Sequence, residues 1–421
     1  MRKYFIHIIG ILYCILFINK CSSGTKIQTF SLRNDSNQAS FLEQVQTLQI
    51  NAIDTNKLDK AGKELWQIVE NVLQSDFYLV ERKSKQVLNS EVNNPFRSEY
   101  MRFLTYSLFF QSKWSELLPE RNSYYYDPDS VFLIAKAFAK VDSQSVYFSK
   151  DADTVEFEIA PNGAIVVKVS INGKMRNFWF DTGTNYTIVS SKTAEDCNLP
   201  ILSKESSRAI THTDYKVDVR PAYIQALKFG NMEIMNHPCL IVDDFNLKLH
   251  LFASNTPVEI YGIFGWKAIQ NAKFTIDYEK RKIIIDRPRK REKSVGNFFW
   301  FGIPIIIGEF QNQKILFAFD LGSEKSYLTN NIFKRINFQK IYQQTKGIGS
   351  VGGWKFNPTL VVPYFEVNID TFRIVFVDIG TFDLARNLFF QIDGILGLDF
   401  VKKAKITFDI ANSKFTILER Y

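Results

Sequence analysis

Hydrophobic and polar positions along the 421 residues fall into four successive regimes. Arg2 and Lys3 precede an almost unbroken apolar run from Tyr4 to Phe17. From Gly24 to about Ile50 the chain is polar, rich in Ser, Asn, Gln and Thr, and reads as a tether. From about Asn56 to Ala139 the spacing is helical. Leu58, Ala61, Leu65, Ile68, Val69 and Val72 recur at three and four residues, one face of a helix. Tyr100–Leu118 and Pro128–Ala139 have similar apolar density, and Pro95, Pro119 and Pro128 punctuate the region. A small bundle and a pair of helical-repeat units both fit, because no clean period emerges. Near Ser145 the period changes. Val155-Glu156-Phe157-Glu158-Ile159 alternates, Ile165–Ile171 is a β-rich burst, and Asn172-Gly173 is a hairpin turn signal. That character persists to the C-terminus.

The β region repeats itself. Phe178-Trp179-Phe180 leads into Asp181-Thr182-Gly183-Thr184, and Phe317-Ala318-Phe319 leads into Asp320-Leu321-Gly322-Ser323. Downstream, Gly262-Ile263-Phe264-Gly265 is matched by Gly394-Ile395-Leu396-Gly397, and Phe274-Thr275-Ile276-Asp277 by Ile406-Thr407-Phe408-Asp409. Copies lie 139 residues apart at the Asp-x-Gly element and 132 apart at the later motifs, a difference one loop absorbs. Lys282 and Lys414 follow at the same offset from Asp277 and Asp409, and four ordered matches mark an internal duplication. The chain therefore divides into 1–20, a signal peptide; 21–50, a tether; 51–144, a helical domain; 145–290, a first β lobe; and 291–421, a second.

One aspartate per copy has a chemical meaning. Two carboxylates held close cannot both ionise cheaply, so they share one proton. One can then act as general base on water while the other donates a hydrogen bond to a substrate carbonyl. Gly183 and Gly322 permit a tight turn and close approach of the opposite loop. Thr184 and Ser323 carry hydroxyls able to donate to the neighbouring carboxylate.

Hydrophobic-hydrophobic-Asp-Thr-Gly-Thr with a downstream hydrophobic-hydrophobic-Gly resembles the aspartic peptidase clan. The short lobes resemble retroviral-type protease domains fused in tandem, over about Val155 to Leu418. The resemblance implies an α+β chain, an N-terminal helical domain followed by two tandem all-β acid-protease-like lobes. It further implies peptide-bond hydrolysis by Asp181 and Asp320 without metal or cofactor, supported by Thr182, Gly183, Thr184, Gly322 and Ser323. Leu321 departs from the family pattern, which has Thr or Ser there to lock the two Asp loops together. A non-catalytic peptide-binding or scaffold protein on the same fold is the alternative. The clan covers its cleft with hairpin flaps. Lys346–Trp354, including Gly349 and Trp354, is the candidate in lobe two, and the segment around Tyr215 in lobe one. The stretch before Val155 is a candidate pro-segment for the cleft.

The apolar run at the N-terminus is too short to span a bilayer comfortably and reads as an export signal. Cys21 just beyond it resembles the lipidation site of a bacterial lipoprotein, although Asn19 and Lys20 are atypical there. Localisation would be periplasmic or membrane-anchored through Cys21, with an ordinary signal or an uncleaved anchor as alternatives. In that oxidising compartment Cys197 and Cys239 could form a disulfide or be two buried small hydrophobes.

Composition narrows the remaining options. At 46% hydrophobic the chain can bury large cores. Its formal charge of +8 is scattered apart from Arg287, Arg289, Lys290, Arg291 and Lys293, a solvated linker without interleaved aromatics, so nucleic acid is not an expected partner. The expected partners are a peptide or protein substrate, and a protein partner for the helical domain unless it simply braces the lobes. Gly347-Ile348-Gly349-Ser350-Val351-Gly352 has the dinucleotide spacing, but Gly353-Trp354-Lys355-Phe356-Asn357-Pro358 will not open the required helix. His212, His237 and His250 form no zinc motif and read as surface or satisfied loop positions. Asp277 and Asp409 read as structural strand ends.

Overall fold

The computed structural model describes residues 41–49, 58–91, 93–118, 131–203, 207–210, 216–249, 258–289, 296–350, 353–382 and 388–420. The expected signal segment and Cys21 lie outside these. Five helices come first: α1 (Phe41–Gln46), α2 (Lys60–Leu73), α3 (Phe77–Ser90), α4 (Arg97–Phe110) and α5 (Val131–Phe138). Asp59 and Asp76 start α2 and α3 by accepting the Gly62 and Leu79 amides at 2.8 and 3.2 Å. The stripe Leu65, Ile68, Val69 and Val72 is fully buried. The tether expected over 21–50 ends early. Phe41–Gln46 is helical, Val45 and Leu48 are buried, and Gln49 Nε2 donates to the Lys314 carbonyl at 3.1 Å. At six residues the helix is too short for a periodicity to register.

The β region forms two lobes, each with its own large antiparallel sheet carrying a parallel pair. Lys174–Phe180 runs parallel to Gly262–Phe264 in lobe one, and Gln313–Phe319 parallel to Gly394–Leu396 in lobe two. Asn172 and Gly173 both take positive φ (47° and 84°), the turn that joins Ile165–Ile171 to Lys174–Phe180. A third, five-stranded sheet is built by both lobes: Ala152–Glu156, Lys282–Asp286 and Lys273–Asp277 from the first, Ala404–Asp409 and Lys414–Arg420 from the second. At its centre Lys273–Asp277 pairs antiparallel with Ala404–Asp409, and Thr275 lies opposite Thr407. These are equivalent residues of the two copies, so the local two-fold axis passes between them. Their buried hydroxyls are 2.7 Å apart.

The helices pack on both lobes at once. Phe77 and Tyr106 meet Trp300, and Phe103 meets Phe301 and Phe389, all in lobe two. Phe109 meets Tyr186 in lobe one. The described residues just before Val155 are not in a cleft. Ser145–Phe148 pairs with Met232–Val242, and Ala152–Glu156 with Lys282–Asp286, which removes them as a pro-segment. Cys197 and Cys239 are free, buried thiols, and burial pushes both thiol pKa values up. The described part of the basic run is exposed. Arg287 and Arg289 both pair with Asp151.

Candidate active site

Each motif aspartate leaves the end of a buried strand and is fixed at once by its partner motif. The Asp181 amide donates to the Phe264 carbonyl at 3.1 Å, and the Asp320 amide to Leu396 at 3.0 Å. The turns then close in the same way, with Gly183 N–H donating to Asp181 Oδ1 at 2.8 Å and Gly322 N–H to Asp320 Oδ1 at 2.9 Å. The glycines show how near the lobes come. A Cβ on Gly183 would lie 2.3 Å from Asp320 Oδ1, and one on Gly322 would lie 2.7 Å from Asp181 Oδ2. Each carboxylate thus rests against the opposite lobe's glycine, and the two meet at the two-fold axis. Both aspartates are buried, at 8% and 7% exposure.

The surrounding support is lopsided. Thr182 Oγ1 reaches across the interface, donating to the Phe319 carbonyl at 2.7 Å and accepting the Leu321 amide at 3.0 Å. Leu321, fully buried, cannot return the bond. Thr184 Oγ1 donates to Asp181 Oδ2 at 2.7 Å, as expected. Ser323 does not do the same for Asp320. The Ser323 amide closes on the Asp320 carbonyl at 3.2 Å, and its hydroxyl donates instead to the Lys325 carbonyl at 2.8 Å. Burial, and then the charge of Asp320, push the Asp181 carboxyl up to about 7, although the hydrogen bonds from Thr184 and Gly183 pull the other way. Such a pair can hold one proton between two carboxylates in weakly acidic solution.

In lobe two the expected flap is a long ribbon. Tyr342–Ser350 pairs with Gly353–Ile369, with Gly349 opposite Trp354 and Ser350 opposite Gly353. Gly347–Ser350 is strand, so the dinucleotide spacing has no helix to serve. In lobe one Ser207–Ile210 pairs with Lys216–Phe229, and Tyr215 lies outside the described residues. Histidine 237 is no surface residue. It sits in the strand Met232–Val242, fully buried, with Nε2 at 2.7 Å from Thr187 Oγ1. The alternation of that strand is blurred because its C-terminal half is buried on both faces. Among the described residues no group of three His, Cys, Asp or Glu side chains is placed to hold a metal ion.

A model of the gag-polyprotein putative aspartyl protease family matches residues 167–252, the part of lobe one that carries Asp181-Thr182-Gly183. This part of lobe one is thus similar to retroviral-type aspartyl proteases. A retropepsin-like aspartic protease from Rickettsia conorii is similar in structure over 34% of this chain and 94% of its own, at 16% identity and a TM-score of 0.23. No curated protein sequence matches the chain. In both lobes, the residue after the hydrophobic-hydrophobic-Gly motif starts a one-turn helix whose amides hold the Asp loop. The Trp266 and Lys267 amides donate to the Thr184 and Asn185 carbonyls at 2.7 and 2.9 Å, and those of Leu398 and Asp399 to Ser323 and Glu324 at 2.8 and 3.2 Å. Lys267 was not singled out from the sequence. Its signal there is a lone charge inside the apolar run from Ile263 to Ile269.

Proposed function

We propose that the chain is an exported aspartic endopeptidase that hydrolyses peptide bonds with Asp181 and Asp320. The observation that carries this reading is the reciprocal contact of each carboxylate with the opposite glycine. A water between the two carboxylates gives one proton to the ionised partner and attacks the scissile carbonyl carbon. The protonated partner donates to the carbonyl oxygen, stabilising the tetrahedral intermediate. The C–N bond then breaks as the amine nitrogen takes a proton from the pair. The chemistry calls for no metal or cofactor. Export rests on Arg2, Lys3 and the Tyr4–Phe17 run, and retention at the cell envelope on lipidated Cys21. The helical domain serves as a brace, because its aromatic faces are spent on the lobes.

Leu321 favours a second reading, a peptide-binding relative that keeps the cleft and has lost half of the interlobe lock. Cleavage of a diverse peptide mixture by protein lacking residues 1–23, from acidic to neutral pH, separates the two. Asp181→Asn and Asp320→Asn are each expected to lower the rate at least about 100-fold, since proton transfer by such groups typically supplies 10²–10⁴. Binding without cleavage in all three proteins would favour the second reading.

A further inference from the structure

Lobe one's Asp loop is held from outside its own lobe. Lys267 has no solvent exposure, and its Nζ donates to the Phe109 and Phe110 carbonyls at 3.1 and 2.9 Å. These are carbonyls at the C-terminal end of α4, where a cation is favoured, and that of Phe109 also accepts the Ser112 amide at 3.0 Å. The ammonium also lies 5.5 Å from the ring centres of Phe109 and Trp114. Gln270 Nε2 adds a third bond, to the Phe110 carbonyl at 3.0 Å. From the same turn, the Trp266 and Lys267 amides hold the carbonyls of Thr184 and Asn185. Thr184 is the residue whose hydroxyl reaches Asp181.

Lobe two lacks this link. The duplicate of Lys267 is Asp399, which accepts the Ser326 hydroxyl of its own lobe at 2.6 Å. A charge of opposite sign at the equivalent place shows that Lys267 is no part of the duplicated design. We propose that Lys267 is a positioning residue, through which the helical domain fixes the loop carrying Asp181 and Thr184. The inference rests on the peptidase reading for its kinetic consequence, but not for its structural one.

Two measurements on the full chain test it. In Lys267→Met, amide hydrogen exchange over residues 181–187 is expected to quicken about tenfold or more, while the Asp320 loop keeps its protection. In the peptide assay the same variant is expected to lower kcat with little change in KM. Its alkaline limb should move to higher pH, because the Thr184 hydrogen bond that lowers the Asp181 pKa is weakened. Thr184→Val should give the same shift, and the double variant no more than either alone. A lower Tm with unchanged exchange in 181–187 and an unmoved pH profile would overturn the proposal. Lys267→Met can fail to fold, in which case Gln270→Ala carries the test. It should loosen the same segment to a smaller degree, and no change there would also overturn it. If the unmodified chain cleaves nothing, the peptidase reading fails and the exchange measurement alone decides the coupling.

Discussion

At the scale of residues, the informative position is Leu321. A reciprocal hydroxyl there would add one buried hydrogen bond, worth about 0.5–1.5 kcal/mol net. Removing the buried leucine forfeits more, since truncating a core Leu costs about 2–5 kcal/mol. Leu321→Thr is therefore expected to lower Tm even though it restores the family's pattern, and thermal unfolding checks this. A gain in Tm would mean that the missing hydroxyl, and not core packing, governs the interface. The carboxylates set a second residue-scale expectation. Asp181 has its folded pKa raised above the ordinary 3.8 to about 7, so the folded state binds the proton more tightly than the unfolded one. Its contribution is complete below about pH 4 and is lost as pH rises through about 7. Asp181→Asn and Asp320→Asn each remove one of the two like charges. Their Tm should fall less between pH 4 and pH 7 than that of the unmodified chain, and an equal fall would argue against a shared proton.

At the scale of elements, the strand pair across the two-fold axis joins the lobes. Thr275 and Thr407 satisfy each other's hydroxyls in a buried sheet. Thr275→Val alone strands one hydroxyl and is expected to cost about 1–3 kcal/mol, whereas Thr275→Val with Thr407→Val should be nearly neutral. Denaturant unfolding of the three variants measures the difference, and additive costs would show that the pair does not act as a unit. Both threonines stood in matched motifs and were legible as equivalent. Their meeting on the axis was not, because sequence gives the copies but not which strand of each crosses the interface. The Asp-x-Gly loops, their partner motifs and the Asn172-Gly173 turn were likewise legible, since each depends on local chemistry: a glycine, a period of two, a short turn. What stayed hidden depends on which partner each group takes in the folded chain. Ser323 has the residue type to serve Asp320, but the local turn offers its hydroxyl the Lys325 carbonyl first. Lys267 stands as a lone charge in an apolar run, and its partners appear only once α4 is placed over it. Helix α1 is too short to show a period and is held by lobe two, through the Gln391 amide to the Gln46 carbonyl at 3.0 Å.

At the scale of the whole molecule, the helical domain and the lobes share one apolar core. Trp300, Phe301, Phe389 and Tyr186 are buried where they meet rings from α3 and α4. Each such ring buries about 150–250 Å² when packed. Even partial uncovering, at about 25 cal/mol per Å², costs a few kcal/mol apiece. Four rings together then rival the roughly 5–15 kcal/mol that separates a folded domain from its unfolded chain. The α4 end also carries the carbonyls that compensate the buried Lys267 charge, and a buried cation without partners is costlier still. Deleting residues 24–140 is therefore expected to leave a β body that aggregates or binds hydrophobic dyes and unfolds without a cooperative transition. A helical domain that merely recruited partners would come away cleanly, leaving two lobes with an unchanged Tm. Size-exclusion chromatography and calorimetry of the truncated chain distinguish these outcomes. The first would make the helices a constituent of the β body, joined through Lys267 to the turn that holds the loop of Asp181.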